Sequence, residues 1–376
     1  MKNPVKGLVN IKEVEKDVSG SSDLDIHEKQ KALKTSINEG SAASFASGIS
    51  GTFITPFAVK LNPNPLIVGF LSAFSGLIRP LAQIHGSKLM AHHSRKKIVV
   101  RYVLLEAILW LPLVLIGLLY WFNLYQDYLP YALLIAFTLQ IALSSMATPA
   151  WFSWMGDLVP EKDRGKYFAI RNRATGIVSI AAVLIGSLII YTFEKLNLDI
   201  LGFCIIFTLS FFFRLISYSQ FRKQFAPSIR IKKGDYFSFW QFMKNKTDYR
   251  AFSIYQGMFY LAIMIASPFF AVYILEVLHM DIITFTIASL TSSIFYLVLS
   301  PLAGKFGDKY GNLKLVWIGH VFFILTPLLW LVTKNPLWII FIPQLSSGIA
   351  NAASTIAENN FTYDAVRPEK RGVCVS

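Results

Sequence analysis

Ten long apolar stretches alternate with polar loops along this chain. Each is long enough to cross the hydrocarbon layer of a membrane as a helix of about 20 residues. Helices are predicted because lipid offers the backbone no hydrogen-bond partners, and no stretch shows the period-two alternation of a barrel strand. The predicted spans lie near residues 40–60, 65–85, 98–122, 128–155, 174–193, 199–219, 251–275, 283–303, 314–332 and 336–361.

The composition agrees with this pattern. Of the 376 residues, 54% are hydrophobic and only 15% are charged, and the mean hydropathy is +0.49. A soluble chain of this length would need more charge to cover its surface. Cys204 and Cys374 are too few for a disulfide framework or a metal site, so we interpret both as inert thiols. The predicted fold class is an all-α polytopic membrane protein.

The placement of the basic residues argues against a nucleic-acid partner, although the net charge is +14. Lys and Arg gather in alternate loops, whereas the loops between them contain only Lys60, Lys195 and Lys334. This asymmetry is typical of cytoplasmic loops in a membrane protein. It predicts that both termini lie in the cytoplasm and that the protein resides in the cytoplasmic (plasma) membrane.

The polar segments divide the chain into four parts. The first part, at 1–38, is a charged tail. It is predicted to be a solvated cytosolic segment, although a weak apolar pattern also allows an amphipathic helix. The third part, at 220–250, is a basic linker whose aromatic residues also allow contact with anionic lipid. The predicted parts are a tail at 1–38, a six-helix bundle at 39–219, the linker at 220–250 and four helices at 251–376.

The two groups of spans are related by an internal repeat of about 210 residues, which indicates duplicated bundles. Three short patterns occur in both copies and in the same order. They are DLVPEKDRG at 157–165 and DAVRPEKRG at 364–372, PFAV at 56–59 and PFFAV at 268–272, and PLA at 80–82 and 301–303.

The loop after the eighth predicted span reads GKFGDKYG at 304–311 and is followed by Lys314. This pattern resembles the loop motif of the major facilitator superfamily of secondary transporters, and the duplicated bundles and basic linker are also similar to that family. The first copy, SKLMAHHSRKK at 87–97, is degenerate, with Ala91 where the aspartate belongs and Ser94 where a glycine belongs. The resemblance implies two pseudo-repeated bundles that rock against each other.

The resembled family has twelve spans, whereas ten are predicted here in a six-plus-four arrangement. We expect either a C-terminally truncated fragment or an incomplete bundle. Two functions therefore stay open. One is a secondary transporter of a small organic solute that works by alternating access. The alternative is a truncated, non-transporting membrane protein that needs a partner or an oligomer to cover its open side.

The resemblance also implies a gate, because in that family charged loop residues lock the bundles on one side. Ordinary loop charges that set the topology are the simpler interpretation for the other basic residues. Glycines in the second loop motif would allow a tight turn and close approach of backbones. The candidate gate residues are Asp157, Glu161, Arg164, Gly304, Asp308, Gly311, Asp364 and Arg371.

Ionisable residues inside the predicted spans are functional candidates by default. Glu106 in the third span and His320 in the ninth lie at similar depths, and either could couple transport to protons. In the resembled family these spans lie outside the cavity, which favours an ordinary interhelical hydrogen bond instead. Arg214 lies near the end of the sixth span, where we expect it to extend towards the interface.

The first, fourth, seventh and tenth spans line the central cavity in the resembled family. Their neutral polar residues suit a neutral or amphiphilic solute better than a phosphate or a dicarboxylate, although each could simply pack helices. No enzyme signature, cofactor motif or metal site is predicted. The candidate cavity residues are Gln140, Ser144, Gln256, Tyr260, Gln344 and Asn351.

Overall fold

The structure is a computed structural model that describes residues 23–61, 65–90, 92–159, 164–226 and 248–365. Within these ranges the regular structure is helical. The helices are α1 (Asp23–Gly51), α2 (Ile54–Leu61), α3 (Pro65–Leu89), α4 (Arg95–Ile108), α5 (Trp110–Trp121), α6 (Leu129–Leu158), α7 (Arg164–Lys195), α8 (Asp199–Lys223), α9 (Asp248–Ala266), α10 (Phe269–Val272), a π-helical turn (Tyr273–Val277), α11 (Ile282–Tyr310), α12 (Asn312–Trp330) and α13 (Pro336–Ala365).

Ten helical segments in the described part of the chain are long and apolar enough to cross a membrane, which confirms the predicted number. Six come before the linker region and four after it. Large apolar side chains cover the outer surfaces of these helices, such as Leu77 on α3, Leu261 on α9 and Ile324 on α12. Such surfaces suit contact with lipid, which is as apolar as the side chains themselves.

The first helix begins earlier than the sequence predicts. It starts at Asp23, within the segment expected to be a solvated tail, and Ala32 and Ser36 are buried. The Tyr167 hydroxyl donates to the Leu33 carbonyl at 3.1 Å and ties this first part of α1 to α7. Hydropathy misses the segment because much of it is polar and at least partly exposed, and only one face is buried against other helices.

The first six spans pack as one group in which α1 lies against α7 and α8, and α3 lies against α6. Glycines permit the closest approaches. A Cβ on Gly186 of α7 would lie 2.8 Å from the Ile49 carbonyl oxygen, and one on Gly48 of α1 would lie 2.7 Å from the Ser179 carbonyl oxygen. Any larger side chain would force these two helices apart.

In the second group α13 packs against both α11 and α12. Gly348 of α13 lies against α11, where a Cβ would fall 3.0 Å from the Tyr296 backbone nitrogen. The two groups meet where α11 contacts α7, α9 contacts α3 and α10 contacts α2. A cavity lies between them at this meeting.

The first and seventh spans are interrupted at corresponding positions of the repeat. Between α1 and α2 the helix breaks at 52–53, just before Pro56, and between α9 and α10 it breaks at 267–268. The repeated patterns PFAV and PFFAV lie at these two breaks. Proline removes a backbone donor and crowds the preceding turn, which explains the break at Pro268.

Candidate functional site

The cavity between the two groups has a volume of about 430 Å³. Both helix breaks contribute to its wall, with Thr52 and Thr55 from the first group and Ser267 and Pro268 from the second. Discontinuous spans at corresponding repeat positions mark binding sites in many transporters. We call this space the central cavity.

The wall of the central cavity is neutral. Among the described residues that line it none is charged, and the polar ones are hydroxyls and one amide. The Ser292 hydroxyl donates to the Ser347 hydroxyl at 3.0 Å, and Gln344 Nε2 donates to the Ile339 carbonyl at 3.2 Å. Trp330 stacks on Phe270 with ring centroids 4.9 Å apart. The wall therefore offers neutral hydrogen bonds and an aromatic surface.

A network of charged residues lies inside the first group, on four different spans. Arg214 of α8 donates through Nε to Glu106 of α4 and through Nη1 to the Ser217 hydroxyl at 3.2 Å. Ser217 donates to Glu39 of α1 at 3.0 Å, and Arg171 Nη2 of α7 lies 3.4 Å from Glu39 Oε2. Unpaired charges are costly inside membrane-spanning helices, so the pairs compensate one another.

Two small cavities adjoin this network, with volumes of about 230 and 240 Å³. Ser144, Arg171 and Arg214 line both of them. Glu39 and Trp151 line only the first, while Glu106 and Trp110 line only the second. We call the two spaces together the arginine chamber.

The predicted coupling residue Glu106 is therefore part of an interhelical ion pair. Its partner Arg214 was expected to extend to the interface, and that expectation is wrong: the side chain is only 13% exposed and faces inward. A nearby carboxylate compensates the buried guanidinium, which hydropathy along one helix does not reveal.

The second group holds its ionisable residues differently. The Tyr255 hydroxyl and His320 Nδ1 are hydrogen-bonded, and the Phe259 ring lies over the imidazole with centroids 3.6 Å apart. Glu358 of α13 accepts hydrogen bonds from Gln256 Nε2 and from the Tyr260 hydroxyl, the latter at 2.9 Å. The predicted coupling residue His320 thus lies in an aromatic environment between α9 and α12.

The structure separates the six predicted cavity residues. Gln344 lines the central cavity, whereas Ser144 lines the arginine chamber. Gln256 and Tyr260 contact Glu358. Asn351 donates to the Ser347 carbonyl of its own helix at 2.8 Å, and Gln140 is buried, with no partner for its Nε2 among the described residues.

Of the predicted gate residues, Glu161 and Arg371 lie outside the described residues. Asp157, Arg164, Asp308 and Asp364 lie in described helices, but their side chains are outside the described part. Gly304 is helical within α11, and Gly311 ends that helix with φ +92° and donates its N–H to the Gly307 carbonyl at 2.8 Å. The tight turn expected of this motif is thus at Gly311.

Sequence reasoning missed Glu39 and Arg171. Glu39 lies just before the first predicted span, and Arg171 lies between the fourth and fifth predicted spans. Their side chains are only 3% and 12% exposed. A carboxylate at the start of an apolar stretch was the available signal for Glu39, but its partner lies 132 positions along the chain.

Comparison with known proteins places this arrangement in context. One similar solved structure is a mutant form of the nucleoside transporter NupG, which is 17% identical in sequence. The match covers 91% of this chain and 87% of that chain, with a TM-score of 0.64. A bacterial homologue of the iron transporter ferroportin in its inward-facing state has 15% identity, coverage of 94% and 87%, and a TM-score of 0.61.

A bacterial homologue of the human lysosomal transporter Spinster, inward-facing and unoccupied, has 16% identity, coverage of 95% and 78%, and a TM-score of 0.57. At these identities the likeness concerns the fold. No curated protein matches the chain. The family profile described as Major Facilitator Superfamily matches residues 40–247 and 252–376. The chain therefore belongs to the major facilitator superfamily.

Proposed function

We propose that this protein is a secondary active transporter that moves a small neutral or amphiphilic organic solute across the cytoplasmic membrane by alternating access. The observation that carries the proposal is the central cavity between the two groups of spans, with interrupted helices in its wall from both groups. Its volume of about 430 Å³ falls within the usual range of ligand sites, roughly 300–1,000 Å³.

The neutral wall supports the solute class. The named proteins with similar structures include transporters of nucleosides and of iron, so the fold alone does not select a solute. A metal cation would favour carboxylate or carbonyl oxygen ligands, and a phosphate would favour basic ones. Thr52, Ser292 and Gln344 offer neutral hydrogen bonds instead, and Trp330 and Phe270 offer an aromatic surface.

For the gate we propose the charged residues of the repeated loop patterns, Asp157, Glu161 and Arg164 in the first and Asp364 and Arg371 in the second, with Asp308 in the other motif. Gly304 and Gly311 belong to the same proposal. The turn at Gly311 supports it, because a left-handed backbone there brings α11 and α12 together without a loop.

Proton coupling through Glu106 or His320 remains a proposal as well. The ion pair of Glu106 with Arg214 favours the structural alternative for this residue, because it joins two spans. His320 has a hydrogen-bonded Nδ1, while its Nε2 is buried without a partner among the described residues. Proton-linked uptake that survives Glu106→Gln would leave His320 as the candidate.

The test is uptake of radiolabelled uridine, a neutral solute, by the full chain in proteoliposomes. Gln344→Leu should lower uptake at least about tenfold, because a buried solute group would lose its hydrogen bond. Gln126→Leu makes the same change at an exposed loop position and should leave uptake unchanged. Equal uptake by the Gln344 variant would contradict the cavity assignment, and no uptake of uridine or of other neutral solutes would favour the non-transporting alternative.

A further inference from the structure

The charged network contains two arginines, and by its contacts with the described residues Arg171 is the more loosely held of the two. Arg171 Nη2 lies 3.4 Å from Glu39 Oε2, whereas charge-assisted hydrogen bonds are usually about 2.7–2.9 Å. Its buried Nε has no hydrogen-bond partner among the described residues. Much of the hydrogen-bonding capacity of this guanidinium is therefore unused.

The surroundings of Arg171 hold the guanidinium in position but leave room at its edge. Its Cζ lies 4.7 Å from the centroid of the Trp151 ring, which covers one face by a cation–π contact. The guanidinium packs closely against Gly40 of α1, where a Cβ would lie 2.8 Å from Arg171 Cζ. Arg171 also lines both cavities of the chamber.

Glu39 has a second hydrogen-bond partner besides Arg171. The Ser217 hydroxyl donates to Glu39 Oε1 at 3.0 Å, and Ser217 in turn accepts from Arg214. Arg214 is committed to Glu106 and Ser217. Of the two arginines, Arg171 is thus the one able to engage a ligand.

One face of α1 contributes to the walls of both the chamber and the central cavity. Gly40, Ser44 and Ser47 line the chamber, and Gly51 lines the central cavity. Steps of four, three and four residues place these positions on the same face of a helix. These four positions are glycines and serines, which take up little space beside the helix.

We propose that the arginine chamber is a binding site for the carboxylate group of a small organic anion, with Arg171 as the residue that binds it. The planar guanidinium fork matches a carboxylate with two parallel hydrogen bonds. Binding would exchange the long contact with Glu39 for two shorter ones. Binding is a property of this site alone; that the bound carboxylate belongs to an amphiphilic transported solute rests on the proposed function.

The experiment measures binding of benzoate and of benzamide to the purified full chain in detergent by isothermal titration calorimetry. The two probes share a shape and differ in charge, so benzamide controls for partition into detergent. Benzoate should bind at least about tenfold more tightly than benzamide, because only the carboxylate forms the charge-assisted pair. Equal affinities would overturn the proposal.

Two variants separate a binding role from a structural one. Glu39→Gln should tighten benzoate binding by about threefold to tenfold, because it removes the carboxylate that competes for Arg171. The double variant Glu39→Gln with Arg171→Gln keeps the chamber electrically balanced and should lose the preference for benzoate. If the Glu39–Arg171 pair were only structural, the single and the double variant would not change benzoate binding in opposite directions.

Arg222→Gln is the matched control, since Arg222 is an exposed arginine over an aromatic ring, Tyr218, and lines neither cavity of the chamber. It should bind benzoate as the parent does. Benzoate binding that survives in the double variant would overturn the proposal even if that variant transports normally. If the parent protein binds benzoate but takes up no uridine, that result would instead count against the proposed transport function.

Discussion

Among the described contacts, the ionisable side chains of the two groups of spans have different kinds of partners. In the first group Glu106 and Glu39 face Arg214 and Arg171, so buried charges meet opposite charges. In the second group the carboxylate of Glu358 accepts hydrogen bonds from a tyrosine and a glutamine, and the imidazole of His320 bonds to Tyr255.

This difference determines how each group should respond to substitution. Removing one partner of a buried ion pair leaves an uncompensated charge away from water, which is among the most costly changes a protein can suffer. Removing one hydrogen bond while another partner remains costs less. The first group should therefore depend on its charges, and the second should tolerate the loss of single polar contacts.

The largest effect is expected for Arg214→Gln. It leaves Glu106 as a buried carboxylate without its cation, and we expect the free energy of unfolding to fall by about 3–5 kcal/mol. Thermal unfolding of the purified protein, followed by tryptophan fluorescence, measures this. Adding Glu106→Gln to this variant should restore most of the lost stability. A double variant as unstable as Arg214→Gln would show that the unpaired Glu106 carboxylate does not cause the destabilisation.

A smaller loss is expected for Arg171→Gln. Glu39 keeps the hydrogen bond from Ser217, and its contact with Arg171 is long, so we expect destabilisation of about 1–3 kcal/mol. The same thermal assay applies. A loss as large as that of Arg214→Gln would contradict the view that Arg171 is loosely held.

In the second group Tyr255→Phe should lower the free energy of unfolding by only about 1 kcal/mol. The change removes the hydroxyl that bonds to His320 Nδ1 and retains the ring beside Phe259. Tyr260→Phe, which removes one of the hydrogen bonds to Glu358, provides a second measurement of the same kind. Losses above about 3 kcal/mol in either variant would remove the contrast between the groups.

The smallest effect is expected for Lys60→Ala. Lys60 pairs with Asp199, but its side chain is 49% exposed and the charges can be solvated. Exposed pairs contribute about 0–1 kcal/mol, and added salt weakens them further. If Lys60→Ala destabilised the protein as much as Arg214→Gln, burial would not explain how much each ion pair of the first group contributes to stability.

Sequence reasoning located the spans well where the polarity changes abruptly. Predicted starts near 128, 283 and 336 agree with helices that begin at Leu129, Ile282 and Pro336. It failed at the start of α1, because buried polar residues such as Ser36 look the same as solvated ones in a hydropathy pattern. Of the residues that the family resemblance proposed for the cavity, Gln344 lines the central cavity, whereas Gln256 and Tyr260 contact Glu358.

The sequence by itself determined the ten spans, the duplicated arrangement and the family, because each depends on local composition or on motifs with fixed spacing. The tertiary structure decided which charges meet and where the cavities lie. Glu39 finds Arg171 and Ser217 across 132 and 178 positions of chain. The reason is physical: hydropathy records how much of a helix lipid will accept, whereas pairing depends on which face each helix turns towards its neighbours.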